Sequence, residues 1–215
     1  MIYNYEFFVS YSNADNKDGF VRDFVNRLEQ VPDFKKLFAP EPRVFYDKES
    51  ILGMDDWESE LQDAIETSRF LIVLLSPDYF QSEMCAKEFE WWVECEKRRY
   101  VLGEGIAPIR IVDVPNLLSG TIDIPPNLQK TFPNWVSELR SRQIHDDFDL
   151  IRLDTSKFDR TFAALYPACC DKVWRQDSAA KSLPNRSYPN YNEFFVGRRD
   201  ELDSLRKNLV KERRV

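Results

Sequence analysis

The sequence predicts an α/β fold, a doubly wound parallel sheet of five strands with helices on both faces. Three observations carry that prediction. Short, continuous apolar runs, rather than alternating ones, mark strands buried on both faces. Amphipathic stretches of helical period lie between those runs. Strand and helix alternate along the chain, which is the pattern of a parallel sheet with its crossovers covering both sides.

The elements follow in order. Tyr5-Glu6-Phe7-Phe8-Val9-Ser10-Tyr11 is the first strand, and Phe20, Phe24, Val25 and Leu28 mark the helix after it. Arg43-Val44-Phe45-Tyr46-Asp47 is the second strand. Trp57, Leu61, Ala64 and Ile65 set the next helix, opened by Asp55 or Asp56 as N-cap. Phe70-Leu71-Ile72-Val73-Leu74-Leu75-Ser76 is the clearest strand, closed by Pro77. A helix follows from about Glu83 to Arg98, then a strand from Ala107 to Val112. Leu150 to Leu153 is the last strand and Lys157 to Trp174 the last helix, with Phe162, Leu165 and Val173 on its apolar side. Between Asp113 and Asp149 the pattern is irregular and interrupted by Pro115, Pro125, Pro126 and Pro133, with one helical stretch from Trp135 to Arg142 whose packing partners the sequence does not identify. Residues 1–175 form the domain, 176–192 are polar and proline-bearing and read as a linker, and 193–215 read as the start of a following domain.

Composition narrows the function classes. With 43% hydrophobic and 14% aromatic residues, the 215-residue chain has enough apolar surface for a packed core. A formal net charge of −7 argues against a general nucleic-acid binder, since phosphate-backbone contact requires an excess of Lys and Arg. Cys85, Cys95, Cys169 and Cys170 show neither a Cys-x-x-Cys pair nor a zinc spacing, and reduced cysteines imply an intracellular chain. No run approaches the roughly 20 apolar residues of a membrane helix. The expected address is the cytoplasm, with neither membrane nor nucleic acid as partner.

Catalytic chemistry is constrained as well. Histidine occurs once, at His145 among Asp146, Asp147 and Asp149, which reads as a solvated loop. A multi-histidine metal site is impossible, and no metal is expected. Gly103-Glu104-Gly105 lacks the third glycine and the strand-to-helix context of a dinucleotide fingerprint, and no Gly-x-x-x-x-Gly-Lys loop is present. Any enzyme built on this chain must use carboxylates, hydroxyls or a lysine.

One carboxylate breaks the helical pattern. On a wheel of roughly 100° per residue, Met84, Cys85, Phe89, Trp91, Trp92, Val93 and Cys95 form one apolar arc, with Lys87, Glu90 and Glu94 opposite. Glu88 falls inside the apolar arc, between Cys95 and Trp92. Glu96 also lies in the arc, near the helix end, where a route to water is expected. A carboxylate on an apolar face is costly unless it is paired, hydrogen-bonded or facing a cleft. Glu88 is therefore either a structural pair with a neighbouring Arg or Lys or a functional group in a substrate cleft. Ligands of doubly wound folds bind beyond the carboxyl ends of the strands, which points to Ser10–Asn13, Asp47–Asp56 and Ser76–Cys85.

Several of these stretches together resemble the Toll/interleukin-1 receptor (TIR) domain, over roughly residues 3 to 175. Phe7-Phe8-Val9-Ser10-Tyr11-Ser12 with Asp15 resembles the family's opening motif. Phe45-Tyr46-Asp47 and Ile51-Leu52-Gly53-Met54-Asp55-Asp56-Trp57 resemble its second strand and exposed loop. Ile65-Glu66-Thr67-Ser68 and Ile72-Val73-Leu74-Leu75-Ser76-Pro77-Asp78-Tyr79 resemble its second helix and central strand, and Ser82, Cys85 and Glu88 match the start of the next helix. The match fades after Asp113.

The resemblance implies a flavodoxin-like sheet. It also implies one of two activities, since the family contains scaffolds that only assemble and enzymes that cleave NAD⁺ at the nicotinamide–ribose bond. In the enzymes the position of Glu88 is catalytic, the position of Phe45 lines the pocket, and the loop at Tyr11, Ser12 and Asn13 meets the nucleotide. Asp47, Ser82, Met84 and Cys85 border the same expected site, and Lys48 is the expected phosphate contact, because the arginine that several members carry after the first strand is replaced here by Ser12 and Asn13. Met84 stands where such enzymes often carry tryptophan. NAD⁺ is expected as substrate, with no bound cofactor. Self-association is implied through the loop Ile51, Leu52, Gly53, Met54 and Trp57. Phe195-Val196-Gly197-Arg198-Arg199-Asp200-Glu201-Leu202 resembles the entry to the nucleotide-binding ATPase of immune receptors, which is the expected C-terminal partner domain.

Overall fold

The computed structural model describes residues 3–46, 57–99, 105–142, 144 and 158–181. The elements are β1 (Tyr5–Ser10), α1 (Phe20–Gln30), α2 (Pro32–Leu37), β2 (Val44–Phe45), α3 (Trp57–Glu66), β3 (Ser68–Leu75), α4 (Glu83–Arg99), β4 (Ile106–Arg110), α5 (Pro126–Thr131), α6 (Trp135–Arg140) and α7 (Phe158–Lys181). Short 3₁₀ turns cover Asn13–Asn16 and Tyr79–Gln81. The chain divides into two units, residues 1–176 and 177–215, and every described strand lies in the first. The strand expected at 150–153, the N-cap at 55 or 56, His145 and the segment 193–215 lie outside the described residues.

All pairings are parallel and the strand order is β2-β1-β3-β4. β1 pairs with β2 through Phe7↔Val44 and with β3 through Phe7↔Phe70 and Ser10↔Val73. The chain therefore leaves β1 to one side, forms β2, and returns past β1 to form β3. The direction of winding reverses between β1 and β3, and in doubly wound sheets such a switch point opens a crevice at the carboxyl ends of the strands.

Alternation along the central strands divides the core into two layers. Phe7, Val9, Phe70, Ile72 and Leu74 join Phe20, Phe24, Leu28, Phe34 and Phe162 on the face covered by α1, α2 and α7. Phe8, Leu71, Val73 and Leu75 join Leu61, Ile65, Phe89 and Trp92 on the face covered by α3 and α4. Both faces of β1 and β3 are thus covered, which is why their sequences are apolar runs rather than alternating ones. α1 starts after Gly19 at φ 81°, a left-handed conformation in which a side chain would be strained. The Asn16 Oδ1 accepts the Val21 amide at 3.1 Å, satisfying one of the free donors of its first turn.

Two features differ from the sequence expectation. α7 continues to Lys181, into the segment read as linker, because Gln176-Asp177-Ser178-Ala179-Ala180-Lys181 contains no proline and several strong helix formers. Glu96 does not reach water. It is 1% exposed, accepts hydrogen bonds from Trp92 Nε1 at 3.2 Å and the Gly105 amide at 3.1 Å, and pairs with Arg142 at 2.9 Å. The chain after β4 folds back onto the end of α4 and closes that exit. Gly105 sits so close to the indole that an added Cβ would lie 2.8 Å from Trp92 Cζ2, so its role is close packing rather than phosphate binding.

The irregular segment finds its partners on the α4 face. Leu128, Phe132, Trp135 and Leu139 enter that core layer, with the Trp135 ring 5.5 Å from Phe80 and 5.8 Å from Tyr79. The Arg140 guanidinium donates to the carbonyls of Asn116, Leu117 and Gly120 at 2.7–2.8 Å, pinning an otherwise unstructured stretch. Cys85, Cys95 and Cys169 are buried as free thiols, and burial pushes the Cys169 thiol up to about 12. No helix among the described residues is long and apolar enough to cross a membrane.

Candidate functional site at the carboxyl end of β1 and β3

Ser10 closes β1, Ser76 follows β3, and α4 begins a few residues later, so all three meet at the switch point. The Ser82 Oγ accepts the Cys85 amide at 3.3 Å, and the Ser82 backbone is extended at φ −95°, ψ 117°. Ser82 is thus the N-cap of α4. That cap sets the helix phase, and with it the direction of Cys85 and Glu88, which share one face at i, i+3. Replacing Ser82 by Ala is expected to lower stability by about 1 kcal/mol in urea unfolding. An unchanged midpoint would show that the cap does not set the helix start.

Glu88 is fully buried. The Ser10 hydroxyl donates to its Oε2 at 2.5 Å, and the Tyr79 hydroxyl lies 3.3 Å from Ser10 Oγ and 3.4 Å from the Cys85 carbonyl, to which it also donates. Since the Ser10 proton is directed at Glu88, Ser10 Oγ can only accept from Tyr79, whose single proton is shared between that oxygen and the Cys85 carbonyl. Burial pushes the Tyr79 phenol well above its ordinary range; Cys85 and the Glu88 carboxylate push the same way, against the Ser10 hydrogen bond. Tyr79 therefore remains a proton donor at neutral pH.

A second chain of hydrogen bonds anchors Tyr79 at its backbone. The Tyr79 amide donates to Ser76 Oγ at 3.0 Å, and the Ser76 hydroxyl donates to the buried Asp15 Oδ2 at 2.5 Å. Asp15 belongs to the loop after β1, where its amide donates to the Ser12 carbonyl at 2.8 Å. The loops after β1 and β3 are in this way tied together through Asp15, Ser76 and Tyr79 beside the buried carboxylate.

The sequence-predicted residues divide by face. Phe45 stacks on Phe8 with centroids 5.2 Å apart, on the same face as Cys85 and partly buried Met84 and Trp57. Tyr11 packs into the opposite layer, and its hydroxyl donates to the Tyr46 carbonyl at 2.9 Å. Ser12 is buried and Asn13 exposed at the turn after β1. The structure thus groups Phe45, Met84, Cys85 and Glu88 on one face and sets Tyr11 apart from them. Asp47, Lys48, Ile51, Leu52, Gly53 and Met54 lie outside the described residues. Ser10 and Tyr79 fall within the strand-end segments that the sequence points to, 10–13 and 76–85, but the sequence gives neither an individual role. Their signal is a hydroxyl at the end of an apolar strand and another just beyond the neighbouring strand, which register alone places side by side.

The family model described as TIR domain matches residues 7–139. Among solved structures, the TIR domains of the activated Roq1 resistosome that directly recognises the pathogen effector XopQ share 19% identity, covering 75% of this chain and 97% of that one with a TM-score of 0.47. The TIR domain of the Toll-related receptor TRR-2 from Hydra magnipapillata shares 21% identity, covering 63% and 95% with a TM-score of 0.38. No curated protein matches the sequence. Since the family model spans more than half of the chain, from within β1 to within α6, the protein belongs to the TIR-domain family.

Proposed function

We propose that this TIR domain is an NAD⁺ glycohydrolase that breaks the bond between nicotinamide and ribose, with Glu88 as its catalytic residue. The observation that carries the reading is a fully buried carboxylate on the apolar face of α4, beside the end of β1. An apolar side chain of similar volume would be cheaper to bury, which supports a role beyond packing. During cleavage the C1′–N bond breaks, the electron pair leaves with neutral nicotinamide, and positive charge spreads over C1′ and the ring oxygen of the ribose. A carboxylate beside the ribose hydroxyls stabilises that charge as it develops. Water adding at C1′ and losing a proton to solvent gives ADP-ribose, whereas attack by the substrate's own adenine gives a cyclic ADP-ribose. Phe45 and Met84 would border the nicotinamide side, while Ser12, Asn13 and Lys48 would meet the remainder of the nucleotide.

In this reading the domain acts in the cytoplasm as an effector of immune or antiphage defence. Oligomerisation through the loop 51–57 activates it, and a C-terminal nucleotide-binding domain drives that assembly. The rival reading is a scaffold that recruits partners without chemistry. One observation favours it: Glu88 has no solvent exposure in the single chain and already accepts a hydrogen bond from Ser10.

Nicotinamide release from NAD⁺ by concentrated and by artificially clustered protein, beside Glu88→Ala, separates the two. Release that the substitution abolishes, with the fold intact, establishes the enzyme. Silence from wild type in both formats leaves the scaffold.

A further inference from the structure

Ser10 is the last residue of β1, which is flanked by β2 and β3. A group fixed there moves less than one on a connecting loop. Its hydroxyl is fully buried and is shared between the Glu88 carboxylate at 2.5 Å and the Tyr79 phenol at 3.3 Å. Tyr79 is in turn fixed at both ends, by Ser76 at its amide and by Trp135 and Phe80 against its ring. A phenol that stays protonated donates to a hydroxyl, which donates to a carboxylate, and each bond in such a chain polarises the next.

We propose that Ser10 is a positioning residue for Glu88 and that Tyr79 orients Ser10, the two hydroxyls together fixing the carboxylate so that it faces the ribose as positive charge develops. This rests on the NAD⁺ cleavage proposed above. A long, flexible carboxylate otherwise samples several rotamers, and misplacement by about 1 Å costs roughly 100-fold in rate. Neither hydroxyl needs to touch substrate, so their loss should appear in turnover rather than in affinity.

Steady-state nicotinamide release by full-length, clustered protein tests this with Ser10→Ala, Ser10→Cys, Tyr79→Phe and the double variant Ser10→Ala/Tyr79→Phe, each melted in parallel. Ser10→Ala is expected to lower kcat by roughly 10-fold to 100-fold with KM for NAD⁺ within about twofold. Ser10→Cys, which keeps the shape with a slightly larger atom but replaces a strong donor with a weak one, is expected to stay folded yet share most of that loss. Tyr79→Phe is expected to cost less, about 3-fold to 5-fold. Because Tyr79 acts through Ser10, the double variant should be no slower than Ser10→Ala alone.

A wild type that cleaves NAD⁺ with an equally active Ser10→Ala overturns the positioning role while leaving the enzyme in place. Full recovery in Ser10→Cys, or losses that multiply in the double variant, overturns it too, since volume or an independent tyrosine would then explain the effect. A wild type that releases nothing overturns both proposals, an outcome the wild-type arm identifies by itself.

Discussion

Glu88→Gln is expected to lower nicotinamide release by roughly 100-fold to 1,000-fold, equivalent to about 2.7–4 kcal/mol of transition-state stabilisation, while the domain stays folded. The substitution is nearly isosteric. Its amide oxygen can still accept the Ser10 proton now held at 2.5 Å, so the buried hydroxyl keeps a partner. What disappears is the negative charge available to an oxocarbenium-like ribose. The cost to folding should stay near 1 kcal/mol, a shift of about 2–4 °C in melting temperature for a chain of this size. Glu88→Ala would remove the acceptor and open a cavity at the same time, so the glutamine variant is the cleaner probe of charge. Turnover by Glu88→Gln within about 10-fold of wild type would place the charge stabilisation on another residue.

The fold was legible where burial leaves a periodic record. The run Phe70 to Leu75 is apolar because β3 is covered on both faces, and the wheel through α4 separates Cys85, Phe89 and Trp92 from exposed Glu90 and Glu94. The misfit of Glu88 in that wheel was legible for the same reason. Its partner was not, because Ser10 is distant in sequence and only the register of β1 against β3, together with the Ser82 cap, brings hydroxyl and carboxylate together. Tyr11 shows the converse limit. Sequence adjacency groups it with Ser10 and Ser12, but a strand alternates its side chains, so Tyr11 packs into the layer opposite Phe8. The segment after β4 hid its partners for yet another reason. Trp135 and Leu139 contribute only a turn or two of helix, too short for a period to declare which face is buried, and the loop they cover is held by the Arg140 side chain rather than by backbone pairing.

Arg142→Ala should be the most damaging single substitution of a charged residue away from the candidate site, costing about 3–5 kcal/mol. Arg142 and Glu96 are 9% and 1% exposed and meet at 2.9 Å, so solvent screens their attraction very little. Removing the guanidinium takes away the cation 2.9 Å from a carboxylate buried inside the α4 face, which also accepts hydrogen bonds from the Trp92 indole and the Gly105 amide. Those donors partly offset the charge, and they also explain how the damage would spread: Trp92 packs within the core, and Gly105 leads into β4. At about 2–4 °C per kcal/mol, the loss corresponds to a fall of about 6–20 °C in melting temperature. Lys97 and Glu94 meet more closely, at 2.6 Å, yet both are about half exposed, and Lys97→Ala should leave the melting temperature almost unchanged. Distance alone would rank these two pairs the other way. Arg142→Met combined with Glu96→Gln should recover much of the loss, because it removes both charges instead of stranding one. Equal melting temperatures for Arg142→Ala and wild type would mean that Glu96 finds water or another cation when Arg142 is gone, and that the fold over the end of α4 is looser than its burial implies.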